Sequence, residues 1–336
     1  MPDYFSKPTY SNFVKPAKKV SKYLFLVNIL LVVVTFITTL IAGTEWTTGT
    51  VGPYTIEMLW MGLPYSLSIL FILGCHEFGH YFASRYHGVE ASLPYFIPFP
   101  PVLGFFHFGT MGAVIRTRTP IPNNKAMFDI GVAGPIAGFV ACIIVLIYGF
   151  SNLPDVNYIL NIHPDYFSAD YGKGGLGLEF GDTLFFMFMR EVFTDPGQFI
   201  PPMSEIYHYP YLCVGWFGLF VTAMNMVPVG QLDGGHVVYS MLGSKKHEMV
   251  ASISMVVLIL LGVMGIVDTY LELGIGIGWT GWLFWSVVLF FVIKIKHPPV
   301  IHFEKLGTGR MLIGYFSLLI LLLSFSPSPF IISFLG

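Results

Sequence analysis

The chain has 336 residues, 54% of them hydrophobic and only 11% charged, against about 25% charged in an average soluble protein; this excludes a soluble two-domain protein and makes a lipid bilayer its solvent. Its 17 basic and 19 acidic residues give a formal charge of -2, leaving no basic surplus to neutralise phosphates and excluding an electrostatic binder of nucleic acid. Cys75, Cys142 and Cys213 lie in apolar stretches, form no paired framework and read as small buried hydrophobes.

A bilayer core about 30 Å thick takes about 20 apolar helical residues to cross. In chain order the candidate spans are residues 23–42, 58–82, 128–150, 211–242, 250–267 and 275–295, and a shorter seventh, 311–325, precedes Pro327 and Pro329 and could continue as a broken helix toward Phe334. The first reads as a retained anchor, being too long for a signal-peptide core. Threading the spans alternately puts every Lys and Arg except Lys173 and Arg190 on one side, which predicts a cytosolic N-terminus. Between the second and third spans, residues 93–119 carry Pro94, Pro98, Pro100, Pro101, Gly104, Gly109 and Gly112, too broken for a helix and too apolar for water. Such backbone survives at membrane depth only under a protein cover or beside a wet cavity, so the segment predicts a re-entrant hairpin whose second arm, 109–119, is strand-like. The connection 151–210 is acidic, weakly patterned for strands, and offers one surface helix within 182–193.

The expected fold is an all-α polytopic membrane protein with six or seven transmembrane helices and a re-entrant β-hairpin-like loop. Its parts are a cytosolic tail (1–22), a first transmembrane helix with an outer loop (23–57), a membrane core (58–242, including 93–119 and 151–210) and C-terminal transmembrane helices (243–336). No internal repeat supports an inverted-repeat transporter.

Within the second span stands His76-Glu77-Phe78-Gly79-His80. The i, i+4 spacing stacks both imidazoles on one helical face, within reach of one metal ion, and Glu77 between them can polarise water there. A charge at membrane depth costs several kcal/mol, about 3 by insertion scales, unless it is paired or used; the bland alternative is a chance cluster at the span's cytosolic end. Catalytic zinc takes three protein ligands, and Asp233, the only carboxylate of the fourth span, offers the third. Pro228, Gly230, Gly234 and Gly235 break the helix around it so that a side chain can turn inward; the other reading of Asp233 is a cap on a kink. The two half-sites fall at matching depth, in the cytosolic third of the bilayer.

These motifs, HExxH in one membrane helix and Asn225, Pro228, Leu232, Asp233 and Gly234 of NxxPxxxLDG in another, resemble those of the site-2 protease family of intramembrane zinc metalloproteases. The likeness extends through Gly109-Thr110-Met111-Gly112-Ala113 and Gly131-Val132-Ala133-Gly134-Pro135, and the flanking spans look like those of bacterial and plastid members without a PDZ domain. The resemblance implies one Zn2+ per chain on His76, His80 and Asp233, Glu77 as general base and later proton donor, and Asn225 as donor to the substrate carbonyl. It implies hydrolysis of a peptide bond in or near a transmembrane segment of a protein substrate, close to the cytosolic face. The competing function is a metal transporter or sensor using the same ligands without hydrolysis. His236 is a candidate neighbour of the site, His107 is left out of it, and the face of Gly131, Gly134, Ala137 and Gly138 is expected to let the third span pack closely against the second and fourth without carrying chemistry. Lacking an Arg- and Ser-rich transit peptide, the sequence points to a bacterial cytoplasmic membrane; substrate identity, a prior cut and oligomeric state are left open.

Overall fold

The computed structural model describes residues 22–100, 107–172, 176–271 and 273–334; nearly all of the predicted tail and residues 101–106 of the predicted re-entrant segment lie outside them. The apolar runs fold as long helices: α1 (Lys22–Thr48), α2 (Ile56–Tyr86), α3 (Asn124–Ser151) and α8 (Ser244–Leu271). Those four are long and apolar enough to cross a bilayer, the shortest being about 40 Å at 1.5 Å per residue. Shorter apolar helices are α6 (Pro210–Met226), α9 (Gly281–Val288, continued by a π-turn to Ile293) and α10 (Thr308–Ser324). Large side chains such as Ile253, Val256 and Leu260 on α8 face outward, as lipid requires of the surface that water would penalise. The protein is an integral membrane protein.

Helix starts follow local chemistry. Thr55 caps α2 by accepting from the Met58 amide, Asn123 caps α3 by accepting from Ala126, and Pro210 opens α6, where its missing N–H costs nothing. The predicted fourth span, 211–242, is not one helix. It stops at Met226, and after a turn containing Pro228 and Gly230 the chain restarts as α7 (Asp233–Leu242). Gly230 has φ +53°, a left-handed conformation that side chains resist, and its amide takes the Ile295 carbonyl at 3.2 Å.

The chain is mainly helical rather than purely so. The hairpin expected in 93–119 is present as β1 (Tyr95–Pro98) and β2 (Thr110–Val114), antiparallel with a register shift between Phe96 and Pro98. It is covered by protein: Asn28 Nδ2 donates to the Pro94 carbonyl at 2.8 Å and Thr38 Oγ1 to that of Gly109 at 2.6 Å, both from α1. A second sheet departs from expectation. Residues after α10 form not a continued helix but β4 (Phe330–Phe334), antiparallel to β3 (Leu176–Phe180) of the 151–210 connection. Pro327 and Pro329 prevent helix there, and the strand finds its partner only through the fold. The expected surface helix of that connection is α5 (Leu184–Phe193), and a short α4 (Asn157–Ile162) precedes it.

One large core links these parts. Trp46 of α1, Phe180 of β3, Trp216 and Phe217 of α6 and Phe330 of β4 pack at ring separations of 4.7 to 5.9 Å, and Trp216 Nε1 donates to the Gly181 carbonyl at 2.8 Å.

Candidate metal centre

Helix pitch alone stacks His76 and His80 on one face of α2, and the structure closes the gap between them and the second motif. Their Nε2 atoms are 3.1 Å apart, and Asp233 Oδ2, at the first residue of α7, lies 3.4 Å from His76 Nε2 and 3.3 Å from His80 Nε2. Donors about 2.0–2.1 Å from a tetrahedral ion stand about 3.3 Å apart, so the three residues fit one zinc ion. His80 Nδ1 donates to the Ile130 carbonyl at 2.7 Å, which leaves Nε2 its lone pair for a metal and fixes the ring plane. All three are at least four-fifths withdrawn from solvent; such polar burial is sustained only by mutual pairing or a metal.

The break after Met226 is what delivers Asp233. Were α6 continuous, its side chains would advance 100° per residue away from α2; instead the 227–232 turn restarts the helix with the carboxylate at its N-terminus. A Cβ on Gly234 would run into the Met226 carbonyl, so the turn closes only around glycine.

Asn225, in the last turn of α6, places Nδ2 3.5 Å from His76 Nε2, and therefore faces the same space. Glu77 is buried on α2, within electrostatic range of His80 and Asp233, and its carboxylate meets the Ile115 backbone just beyond β2. The structure thus gathers His76, His80, Asp233 and Asn225 and sets Glu77 beside the hairpin. His236 pairs its Nδ1 with His297 Nε2 at 2.7 Å and lies within electrostatic range of Asp233 and His80. His107 pairs with Glu45 at 2.7 Å, away from the metal ligands.

Two features go beyond the sequence reading, which expected of the glycine face only close helix packing. The glycine face of α3 presses on the ligands themselves: a Cβ on Gly134 would overlap the His80 imidazole, and one on Gly138 would meet the His76 ring at 3.1 Å. Second, among the described residues another His, His and carboxylate group forms, from His163, Glu205 and His208, none of which the sequence singles out. Burial there pushes the His208 imidazole down to about 4 and the Glu205 carboxyl up to about 7.

The chain is similar to proteins named as zinc metalloproteases. The chain is 27% identical over 277 residues to a protein of Oryza sativa subsp. indica named probable zinc metalloprotease EGY2, chloroplastic, covering 82% of this chain and 44% of that protein. Its Arabidopsis thaliana namesake is 25% identical, covering 82% and 43%, and the Arabidopsis protein named probable zinc metalloprotease EGY1, chloroplastic, is 28% identical, covering 82% and 46%. The chain therefore spans less than half the length of these curated relatives. No solved structure matches it significantly. The sequence model of peptidase family M50 matches residues 64–264, a range that contains both motifs, the hairpin and the glycine face, and the chain belongs to that family, the site-2 protease family.

Proposed function

We propose that this chain is an intramembrane zinc endopeptidase that hydrolyses a peptide bond in or near a transmembrane segment of a protein substrate, close to the cytosolic side. The observation that carries the reading is the convergence of His76, His80 and Asp233 within one coordination radius beside an uncharged amide, Asn225, and a buried carboxylate, Glu77. A zinc ion held by His76, His80 and Asp233 would supply Lewis acidity, lowering the pKa of water from about 15.7 to about 7. Glu77 takes the proton from the attacking water and returns it to the leaving amine. Asn225 Nδ2 donates to the carbonyl oxygen as negative charge develops on it, and as a neutral dipole it does so without burying a further charge. A transmembrane helix conceals its peptide bonds in its own hydrogen bonds, so the substrate must unwind locally; an extended stretch of it adds as a strand to the edge of β2 that β1 does not occupy.

The catalytic unit is residues 58–242, flanked by the first helix (23–57) and the C-terminal helices (243–336), with the N-terminus in the cytosol by the Lys and Arg bias. Crossings completed by the short helices α6 with α7, α9 and α10 bring the count from four to six or seven. The chloroplastic names of the plant relatives leave both a plastid and a bacterial cytoplasmic membrane as settings.

The deciding experiment compares the detergent-solubilised chain with its Glu77→Gln variant on a transmembrane protein substrate, with and without a zinc chelator. Loss of cleavage by a hundredfold or more, the order general acid–base catalysis contributes, with zinc content unchanged, is the expected result. Full cleavage by the variant would overturn the assignment, and metal flux surviving the substitution would favour a transporter.

A further inference from the structure

A second set of metal-ligand chemistry lies at the other end of the helical bundle. His208 immediately precedes Tyr209 and α6, whereas Asn225 ends that helix, so about 24 Å of helix separates the two places. His163 is the residue after α4, and Glu205 and His208 belong to the turn before α6. The two histidines are 45 positions apart in the chain, yet their Nε2 atoms are 3.0 Å apart. Glu205 Oε2 lies 3.8 Å from His208 Nε2, and one donor atom from each residue falls within 4.8 Å of the others.

The partners of the outward atoms orient the donors. His208 Nδ1 donates to the Thr47 carbonyl at 2.9 Å, which reserves its Nε2 lone pair, the same arrangement that His80 makes with Ile130. Tyr171 Oη donates to Glu205 Oε1 at 3.0 Å, leaving Oε2 buried without a hydrogen-bond partner of normal geometry. Glu205 is 4% exposed and His208 fully buried. Two imidazole nitrogens facing each other and an unpartnered carboxylate oxygen are a costly set to bury unless a cation joins them.

We propose that His163, Glu205 and His208 form a second metal site for a zinc-class divalent transition-metal ion, tying the 151–210 connection to the end of α1. Two imidazoles and one carboxylate select such an ion over calcium or magnesium, which prefer all-oxygen cages. Its 3.0 Å imidazole–imidazole spacing matches the 3.1 Å of the His76 centre while its carboxylate stands farther off, at 3.8 Å, and its anchor to the Thr47 carbonyl makes it a clamp between elements. Metal binding then contributes to folding stability, since the unfolded chain does not assemble the site.

Metal counting tests this independently of proteolysis. The full chain and its His163→Gln, Glu205→Gln and His80→Gln variants are equilibrated with buffered Zn2+, dialysed and assayed by elemental analysis. His163 is half-buried and tolerates substitution better than His208. The expected result is two zinc ions per wild-type chain and one in each variant, with the zinc-dependent rise in Tm reduced in His163→Gln. Because a variant can misfold, Co2+ is also titrated into the His80→Gln chain, which should still show the visible absorption of a tetrahedral cobalt site. One zinc per wild-type chain, two in the His163→Gln chain, or no cobalt absorption in the His80→Gln chain would each overturn the site. A failure of the protease reading would show as absent cleavage with both metals bound, a distinct outcome.

Discussion

Gly134 has no side chain to offer, and that is its contribution. The space a methyl group would fill is taken by the His80 imidazole, whose Nδ1 is bonded to the carbonyl of Ile130, one turn earlier on the same helix. Gly134→Ala would push the ring off both that hydrogen bond and the metal position. Loss of such an outer partner costs metal affinity by about 10- to 100-fold. We therefore expect Gly134→Ala to lower zinc affinity by at least tenfold and cleavage with it, measured by competition with a chromogenic chelator. Equal affinity in the two chains would show that α3 can retreat. Gly138→Ala should be milder, because the 3.1 Å contact it makes with His76 can be relieved by a small shift.

At the scale of elements, the hairpin and the broken α6–α7 helix do the positioning. Residues β1 and β2 hold the Ile115 backbone against Glu77, while α1 ties down the hairpin through Asn28 and Thr38. On β2, Met111 is 71% exposed and Val114 48%, so that strand presents side chains outward beside Glu77. If substrate pairs there, Ala113→Pro should reduce cleavage at least tenfold with zinc content unchanged, since proline removes a backbone donor from the ladder. Unchanged cleavage would sink strand addition. The 227–232 turn has the complementary task of placing a carboxylate where a continuous helix could not. Its composition announces the break, and the helical pitch of HExxH announces the two imidazoles, so these halves of the centre were readable as patterns.

Across the whole molecule, the aromatic core fastens the 151–210 connection and the C-terminal strand onto the catalytic helices. Trp216 is fully buried, stacks on Phe180 at 4.7 Å and bonds the Gly181 carbonyl. Trp216→Ala should cost about 3–5 kcal/mol, seen as a fall in the detergent unfolding temperature; a shift within error would mean that the β3–β4 sheet docks without it. At the opposite end, Asp129 of α3 takes two hydrogen bonds from Arg310 of α10, at 2.8 and 2.7 Å, and pairs with His87 beyond α2 at 2.8 Å. The bundle is thus closed at both ends by polar or aromatic contacts between elements distant in sequence. In a bilayer, where lipid is as apolar as the side chains, packing and hydrogen bonding of this kind hold helices together.

The sequence by itself determined the solvent, the long helices, the hairpin and the interrupted fourth span, and it marked His76, Glu77, His80 and Asp233 as candidates, because each is written in composition or in a spacing of a few residues; Asn225 became a candidate only through the family's motif. Only the tertiary structure decided that Asp233, at the start of α7, meets His76 and His80, that residues 330–334 are a strand paired with 176–180, that Gly134 and Gly138 back those two imidazoles, and that His163 meets Glu205 and His208. Those are contacts between segments tens to more than a hundred residues apart. Local periodicity carries which face of an element is apolar, but not which distant face it will meet; that is settled when the apolar faces and the buried polar groups find partners together.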